Sequence, residues 1–119
     1  MPGTMLKDTP RKKGEERRKY TRVDAHLLAS TKEQATGITG YGRITNVSMG
    51  GVYILTTDPC PPRQKVSIEF KVPGGSNATV SAETIVRRVH PGEGMGLEFE
   101  SLTSEQTQAL EEYIRNENS

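Results

Sequence analysis

The chain has 119 residues, of which 16 are Lys or Arg and 15 are Asp or Glu, so its net charge is +1. Strictly apolar residues make up 32%, no apolar run reaches the roughly 18 residues that a membrane span needs, and the N-terminus lacks the apolar core of a secretion signal. The single cysteine excludes an internal disulfide and a cysteine-based zinc site. We therefore expect one small cytoplasmic domain that is neither inserted in a membrane nor stapled by disulfides.

The near-neutral total charge conceals an uneven distribution along the chain. Residues 1–22 carry eight basic and three acidic groups, a net charge of +5, whereas the remaining residues carry a net charge of −4. The first residues are rich in Pro, Gly and charge, and they contain too little apolar surface to order on their own. We predict a flexible basic arm over residues 1–15 and one folded domain over residues 16–117. An arm of this charge favours an anionic ligand.

Six segments in chain order have the composition or the alternation of β-strands. They are Val23–Ser30, Tyr41–Val47, Gly51–Thr57, Lys65–Val72, Ala78–Val89 and Met95–Glu100. The clearest is Lys65–Val72, whose apolar residues fall at every second position, as in a strand with one buried face. Turn residues over 73–77 and 90–94 separate the last three strands. Strands at this spacing, with no helix between them, predict an antiparallel barrel or sandwich.

The last segment has helical spacing instead. Leu102, Gln106, Ala109, Leu110, Tyr113 and Ile114 fall on one side of a helix. Thr103 and Gln106 have the spacing of a capping box, in which the Thr hydroxyl bonds a free N–H of the first helical turn. The predicted fold is therefore all-β, six antiparallel strands followed by a C-terminal helix whose apolar stripe packs on the end of a barrel or on a partner.

The sequence offers no positive evidence for catalysis. His26 and His90 are isolated, on a strand and in a turn, and no ligand spacing supports a metal site. Glu98 and Glu100 lie two residues apart, which is typical of a solvated strand face. Cys60 lies in a proline-rich loop without a histidine nearby in sequence, so no base is at hand to activate it. We expect a protein that is not an enzyme and that has no metal or cofactor.

Two polar motifs remain to be explained. The first is the basic segment Glu16–Arg22, in which Arg17, Arg18 and Arg22 could converge on one anionic ligand. The planar guanidinium of arginine can donate two parallel hydrogen bonds to a phosphate or to the O6/N7 edge of a guanine. A basic segment of this kind is also common as a plain solvated charge run, so the motif alone decides nothing.

The second motif is the segment Thr45–Gly51, between the second and third predicted strands. Asn46 and Ser48 lie on the same side of an extended chain, and Gly51 allows either a close backbone approach or a positive φ. The alternative interpretation is a turn in which the Asn and Ser side chains bond their own backbone.

Together the two motifs resemble the paired signature of the PilZ domain family, which binds cyclic di-GMP. The residues that carry the resemblance are Arg17, Arg18 and Arg22 in the first motif, and Asn46, Ser48 and Gly51 in the second. The later segments Val52–Leu55 and Gly94–Phe99, with the closing helix, are also similar to this family, and the resemblance covers residues 15–115. It implies a six-stranded antiparallel barrel that binds cyclic di-GMP on its outer surface.

The resemblance also implies a role for each motif residue. Arg18 and Arg22 hold the phosphates and guanine edges, Asn46 and Ser48 bond a guanine and the phosphate–ribose region, and Gly51 keeps the approach clear. Family members with a basic residue before the first motif arginine tend to bind two intercalated nucleotides, so Arg17 implies two cyclic di-GMP molecules per chain. Asn46 departs from the Asp that is frequent in the family, which removes a charge but adds hydrogen-bond donors.

One further contact stays open. Strand alternation allows only one of Arg87 and Arg88 to face the ligand, and the sequence does not say which.

These features predict a bacterial cyclic di-GMP receptor that acts in trans on an unidentified protein effector, since the chain shows no output domain. Two alternatives remain: a PilZ-like interaction module that has lost the nucleotide, and a basic-armed barrel that binds nucleic acid. The intact motifs argue against the first. The second is disfavoured because nucleic-acid platforms stack bases on exposed aromatic side chains, and this chain has six aromatic residues and no Trp.

Overall fold

The structure, a computed structural model, describes residues 20–74 and 78–118. The predicted arm over residues 1–15, Arg17, Arg18 and part of the turn after Val72 lie outside the described residues. The six strands are β1 (Val23–Glu33), β2 (Thr39–Val47), β3 (Gly51–Leu55), β4 (Lys65–Lys71), β5 (Thr79–His90) and β6 (Gly94–Ser101). All six predicted strands are present, and β1 extends three residues further than the sequence indicated.

The strands close into an antiparallel barrel in the order β1-β2-β3-β6-β5-β4, with β1 also pairing with β4. The barrel prediction is confirmed, and the sandwich is excluded. Inward-facing residues at every second position fill the interior, as in Val66, Ile68 and Phe70 of β4, each at most 2% exposed. One polar side chain is buried with them: Thr84 donates a 2.8 Å hydrogen bond from Oγ1 to the carbonyl of Val66, which satisfies its hydroxyl.

The C-terminal helix α1 (Ser104–Asn118) packs against β1 and β5. It starts with the predicted capping box: the Gln106 amide donates to Oγ1 of Thr103 at 3.1 Å, and the Thr103 amide donates to Oε1 of Gln106 at 3.2 Å. Leu110, Tyr113 and Ile114 are the buried residues of its apolar stripe. The stripe therefore faces the barrel of its own chain.

Register irregularities shift which residues face outward near one part of the barrel. The pairing between β2 and β3 is interrupted between Ile44 and Asn46, and the pairing between β5 and β6 is interrupted between Val86 and Arg88. A bulge of this kind inserts a residue into one strand and re-aims the side chains beyond it. Both irregularities lie beside the surface described next.

Candidate functional site

An open cleft of about 370 Å³ lies on the outer surface of the barrel, across β2, β3, β6 and β5. Its lining includes residues that the sequence analysis singled out and others that it did not. They are Tyr20, Arg22, Asn46, Ser48, Gly50, Gly51, Val52, Tyr53, Arg87, Arg88, Gly96, Leu97 and Glu98. Four of the six predicted site residues, Arg22, Asn46, Ser48 and Gly51, thus come together, and Arg17 and Arg18 lie outside the described residues.

The strand register explains why the cleft crosses four strands. Asn46 of β2 pairs with Tyr53 of β3, Tyr53 pairs with Gly96 of β6, and Gly96 pairs with Arg88 of β5. Directly paired residues point to the same face of a sheet, so these four residues form one row on the outer face. Because the third member is a glycine, the row has a gap in its centre and a guanidinium at its end.

The loop between β2 and β3 is a tight turn held by Ser48. Its hydroxyl oxygen accepts hydrogen bonds from the amides of Gly50 and Gly51 at 3.1 and 3.2 Å, and its own amide donates to the Gly51 carbonyl at 2.9 Å. This is the local backbone bonding of the alternative interpretation of this segment. The turn and the cleft are compatible, because Ser48 fixes the turn and lines the cleft at once.

Asn46 does not share this local bonding. Its side chain is half-buried, and it makes no hydrogen bond within residues 20–74 and 78–118. An amide group that lines a cleft in this state has two donors and an acceptor available for a ligand.

Gly51 is required by packing between strands. A Cβ added there would lie 1.9 Å from the carbonyl oxygen of Leu97 on β6, closer than any real contact. Its φ is not positive, because the described residues with a positive φ are Gly37, Arg63, Gly74 and Gly92. The sequence offered a close backbone approach or a positive φ as the reason for glycine at position 51. The close approach is the one observed, and the backbone that approaches is that of β6.

Both Arg87 and Arg88 line the cleft, so the expectation that only one could face it is wrong. The interruption between Val86 and Arg88 breaks the alternation of β5, and both arginines are exposed. The two differ in their partners. Arg87 forms an ion pair through Nε with Glu98, whereas Arg88 has no ion pair among the described residues.

Tyr53 lies beside these charges. Its hydroxyl oxygen is 2.6 Å from Nδ1 of His90, within hydrogen-bond distance, and His90 ends β5 rather than lying in the following turn. Burial raises the pKa of Tyr53, the Glu93 carboxylate raises it further, and the Arg88 guanidinium opposes both. The hydroxyl consequently stays protonated across the physiological range.

The other polar candidates do not gather into a site. Among the described residues, no group of three or more His, Cys, Asp or Glu side chains is placed to hold a metal ion. Cys60 is a free, half-buried thiol whose pKa is raised by burial and by the nearby Glu33 and Asp58 carboxylates, which disfavours the reactive thiolate. Glu100 pairs with Lys65 at 3.7 Å on the outer face. In the described part of the chain, no helix is both long and apolar enough to cross a membrane.

The two tyrosines of the cleft were missed by the sequence analysis. A signal for Tyr53 was present, since it lies two residues after Gly51 and so has the same outward parity on β3. Tyr20 offered no such signal, because it precedes the first strand. Its ring contacts Gly50, where an added Cβ would lie 2.6 Å from Cδ2 of the tyrosine. That contact depends on the tertiary fold.

The fold and the cleft define a small six-stranded barrel with a basic, glycine-lined depression on its outer surface. The sequence matches the PilZ domain family over residues 16–116, and the chain belongs to that family. A search of curated protein sequences found no match.

Solved structures share the fold at low sequence identity. The chain is similar to the inhibitor of motility MotI/DgrA from Bacillus subtilis, with a TM-score of 0.74 and 21% identity over 85% of this chain and 51% of that one. It is similar to the PilZ domain of YcgR from Escherichia coli with c-di-GMP, with a TM-score of 0.65 and 18% identity over 86% and 92% of the two chains. It is also similar to the Borreliella burgdorferi PlzA protein in complex with c-di-GMP, with a TM-score of 0.59 and 16% identity over 85% of this chain and 42% of that one.

Proposed function

We propose that this chain is a cyclic di-GMP receptor that binds the nucleotide in the cleft and has no catalytic role. The observation that carries the proposal is the convergence of Arg22 and Asn46, which belong to two separate sequence motifs, in one cleft with the exposed Arg88. The PilZ domain of YcgR, solved with c-di-GMP, has the same fold and supports the choice of ligand.

The chemistry of the lining matches the two parts of a cyclic dinucleotide. Arg22 and Arg88 supply guanidinium donors for its two phosphates, and each charge-assisted hydrogen bond is worth about 1.5–3 kcal/mol. The amide of Asn46 can both donate to and accept from a guanine edge. Ser48 holds the turn that brings its own hydroxyl and Gly51 to the ligand.

The same proposal includes Arg17 and Arg18, which precede the described cleft residues Tyr20 and Arg22 in sequence. Arg18 acts with Arg22 on the phosphates and guanine edges, and Arg17 sets the number of nucleotides at two. The basic segment then folds over the ligand on binding, with the ordering cost offset by the charge-assisted contacts.

The proposed receptor signals through a protein partner. Leu28 and Tyr41, on the outer faces of β1 and β2, are 75% and 82% exposed. A protein contact that covered them would remove apolar surface from water, and at Tyr41 it would lie on β2, one of the strands that carry the cleft.

Calorimetric titration with cyclic di-GMP tests the function and the nucleotide count together. The parent chain is expected to bind two molecules, and Arg17→Leu is expected to bind one, because the apolar side chain cannot hold the second nucleotide. Absence of binding by the parent would contradict the function. An unchanged count for Arg17→Leu would contradict only the role of Arg17.

A further inference from the structure

The ring of Tyr53 lies along the glycines of β6. A Cβ added at Gly94 would be 3.0 Å from both Cε2 and the hydroxyl oxygen of Tyr53, and one added at Gly96 would be 3.7 Å from Cδ1. No side chain therefore stands between the ring and the β6 backbone beneath it. The ring is half-buried by this contact, and its remaining surface lines the cleft.

The ring is also held at its far end. Its Cα is on β3, it extends across β6, and its hydroxyl reaches Nδ1 of His90 on β5 at 2.6 Å. The Tyr53 and His90 rings are in contact as well, with centroids 5.7 Å apart and planes tilted by 48°. A side chain anchored at both ends loses little conformational freedom when a ligand packs on it, so this surface is preorganised.

Arg88 borders the same area from the other side of Gly96. Its Cβ would be 3.6 Å from a Cβ placed at Gly96, which is ordinary contact distance. Gly96 thus forms an open floor between an aromatic ring and an exposed guanidinium. An aromatic face beside a cation suits a flat, polar, conjugated group better than a tetrahedral phosphate, because the ring gains from stacking and the guanidinium can reach the edge or the phosphate of the same ligand.

We propose that Tyr53 is a base-stacking subsite of the cleft, on which one guanine of the cyclic dinucleotide packs its flat face, with Gly94 and Gly96 supporting the ring and His90 fixing its position. This inference rests on the proposed binding of cyclic di-GMP. It adds a stacking contact to the arginines and short polar side chains of the cleft, and it gives the two bases of that one nucleotide molecule different surroundings.

The test compares Tyr53→Leu with Tyr53→Phe in the full chain, by calorimetry with cyclic di-GMP and by the proton spectrum of the bound nucleotide. Removal of an aromatic ring on which a base stacks lowers the affinity roughly 5- to 150-fold. Tyr53→Leu should show that loss, and Tyr53→Phe a smaller one, because it keeps the ring and loses only the bond to His90. Tyr41→Leu, on the exposed face of β2 outside the cleft, is the matched control and should bind as the parent does.

The proton spectrum separates stacking from a merely structural role. One guanine H8 of the bound nucleotide should be shifted upfield by the Tyr53 ring current in the parent and in Tyr53→Phe, and that shift should disappear in Tyr53→Leu. If Tyr53→Leu bound cyclic di-GMP with the same affinity as the parent and kept the H8 shift, the stacking subsite would be overturned. The proposed function would still stand. Failure of the parent to bind cyclic di-GMP would overturn both. Thermal unfolding of each variant identifies any that has lost its fold. If Tyr53→Leu has lost it, nuclear Overhauser contacts between a guanine H8 and the ring protons of Tyr53 in the parent decide the question: their presence supports the stacking subsite, and their absence overturns it.

Discussion

Two depressions on the outer surface of this barrel have similar volumes, about 370 Å³ for the cleft and about 430 Å³ for a second one, and they differ in how their polar groups are satisfied. The second, which we call the polar groove, is lined by Ser30, Thr31, Lys32, Thr39, Gly40, Tyr41, Ser67, Ile68, Glu69, Ser81, Ala82 and Glu83. In the groove, the Ser67 hydroxyl donates to the Glu83 carboxylate at 2.9 Å, and Nε2 of Gln34 donates to both residues.

The cleft, in contrast, keeps polar side chains without such bonds. Within the described part of the chain, the Asn46 side chain makes no hydrogen bond and Arg88 makes no ion pair. The glycine at position 96 leaves open the space beside Arg88 and Tyr53 that a side chain would otherwise occupy. Volume therefore does not distinguish a binding surface from a stabilising one on this barrel. The polar side chains of the groove bond one another, whereas the cleft leaves donors available to a ligand.

Removal of a cation from the cleft should have the largest effect on nucleotide affinity, whereas removal of a cation from the groove should have none. Arg22→Ala is expected to lower the affinity for cyclic di-GMP by at least about a hundredfold, because it removes charge-assisted hydrogen bonds worth about 3 kcal/mol. Its unfolding temperature should be nearly unchanged, since Arg22 is exposed. Lys32→Ala, which removes an exposed cation from the groove, is the control and should bind normally. Equal affinities in calorimetry for the two variants would contradict the assignment of the cleft.

Alanine substitutions at two glycines of the cleft should differ in their effect on the stability of the fold. Gly51→Ala places a Cβ against the Leu97 carbonyl and must displace β3 from β6, at a cost of about 1–3 kcal/mol. Gly96→Ala places its Cβ at 3.6 to 3.7 Å from its neighbours, an ordinary contact, and is expected to be tolerated. Thermal unfolding should therefore show a midpoint several degrees lower for Gly51→Ala than for Gly96→Ala. Equal midpoints would mean that the close approach of β6 to Gly51 is not a constraint of the fold.

Removal of one polar side chain from each depression should have the smallest effects, and these should differ in kind: lower affinity for the cleft and lower stability for the groove. Asn46→Ala is expected to lower nucleotide affinity about tenfold and to leave the unfolding free energy unchanged, because the amide bonds nothing in the described fold. Ser67→Ala is expected to do the reverse: it loses about 1 kcal/mol of stability with its bond to Glu83 and keeps nucleotide affinity. Calorimetry and urea unfolding of both variants check this. The same response from both variants would remove the distinction between cleft and groove.

The sequence was informative where the pattern is local. Alternation in Lys65–Val72 identified β4, and the spacing of Thr103 and Gln106 identified the start of α1, because both signals depend on neighbouring residues. The pairing of β1 with β4 that closes the barrel was not predictable in the same way. It joins residues that are 33 to 41 positions apart in sequence, and barrel and sandwich topologies share the same alternation.

The polar motif residues of the site could be predicted from the sequence, but the other residues that line the cleft could not. Arg22 and Asn46 were identified by motif, yet the row from Asn46 through Tyr53 and Gly96 to Arg88 exists only because four strands are in register. The bulge that exposes both Arg87 and Arg88 is a tertiary feature, and simple alternation gave the wrong result there. Tyr53 had the correct parity, but its contacts with Gly94 and His90 come from β6 and β5.

Binding of cyclic di-GMP in the cleft can be tested by a map of amide chemical-shift changes during titration with the nucleotide. We predict that the largest changes fall on the cleft, at Asn46, Ser48, Gly51, Tyr53 and Gly96, and that the amides of the polar groove change little. Changes concentrated at Lys32, Ser67 and Glu83, or no saturable change at all, would contradict nucleotide binding in the cleft.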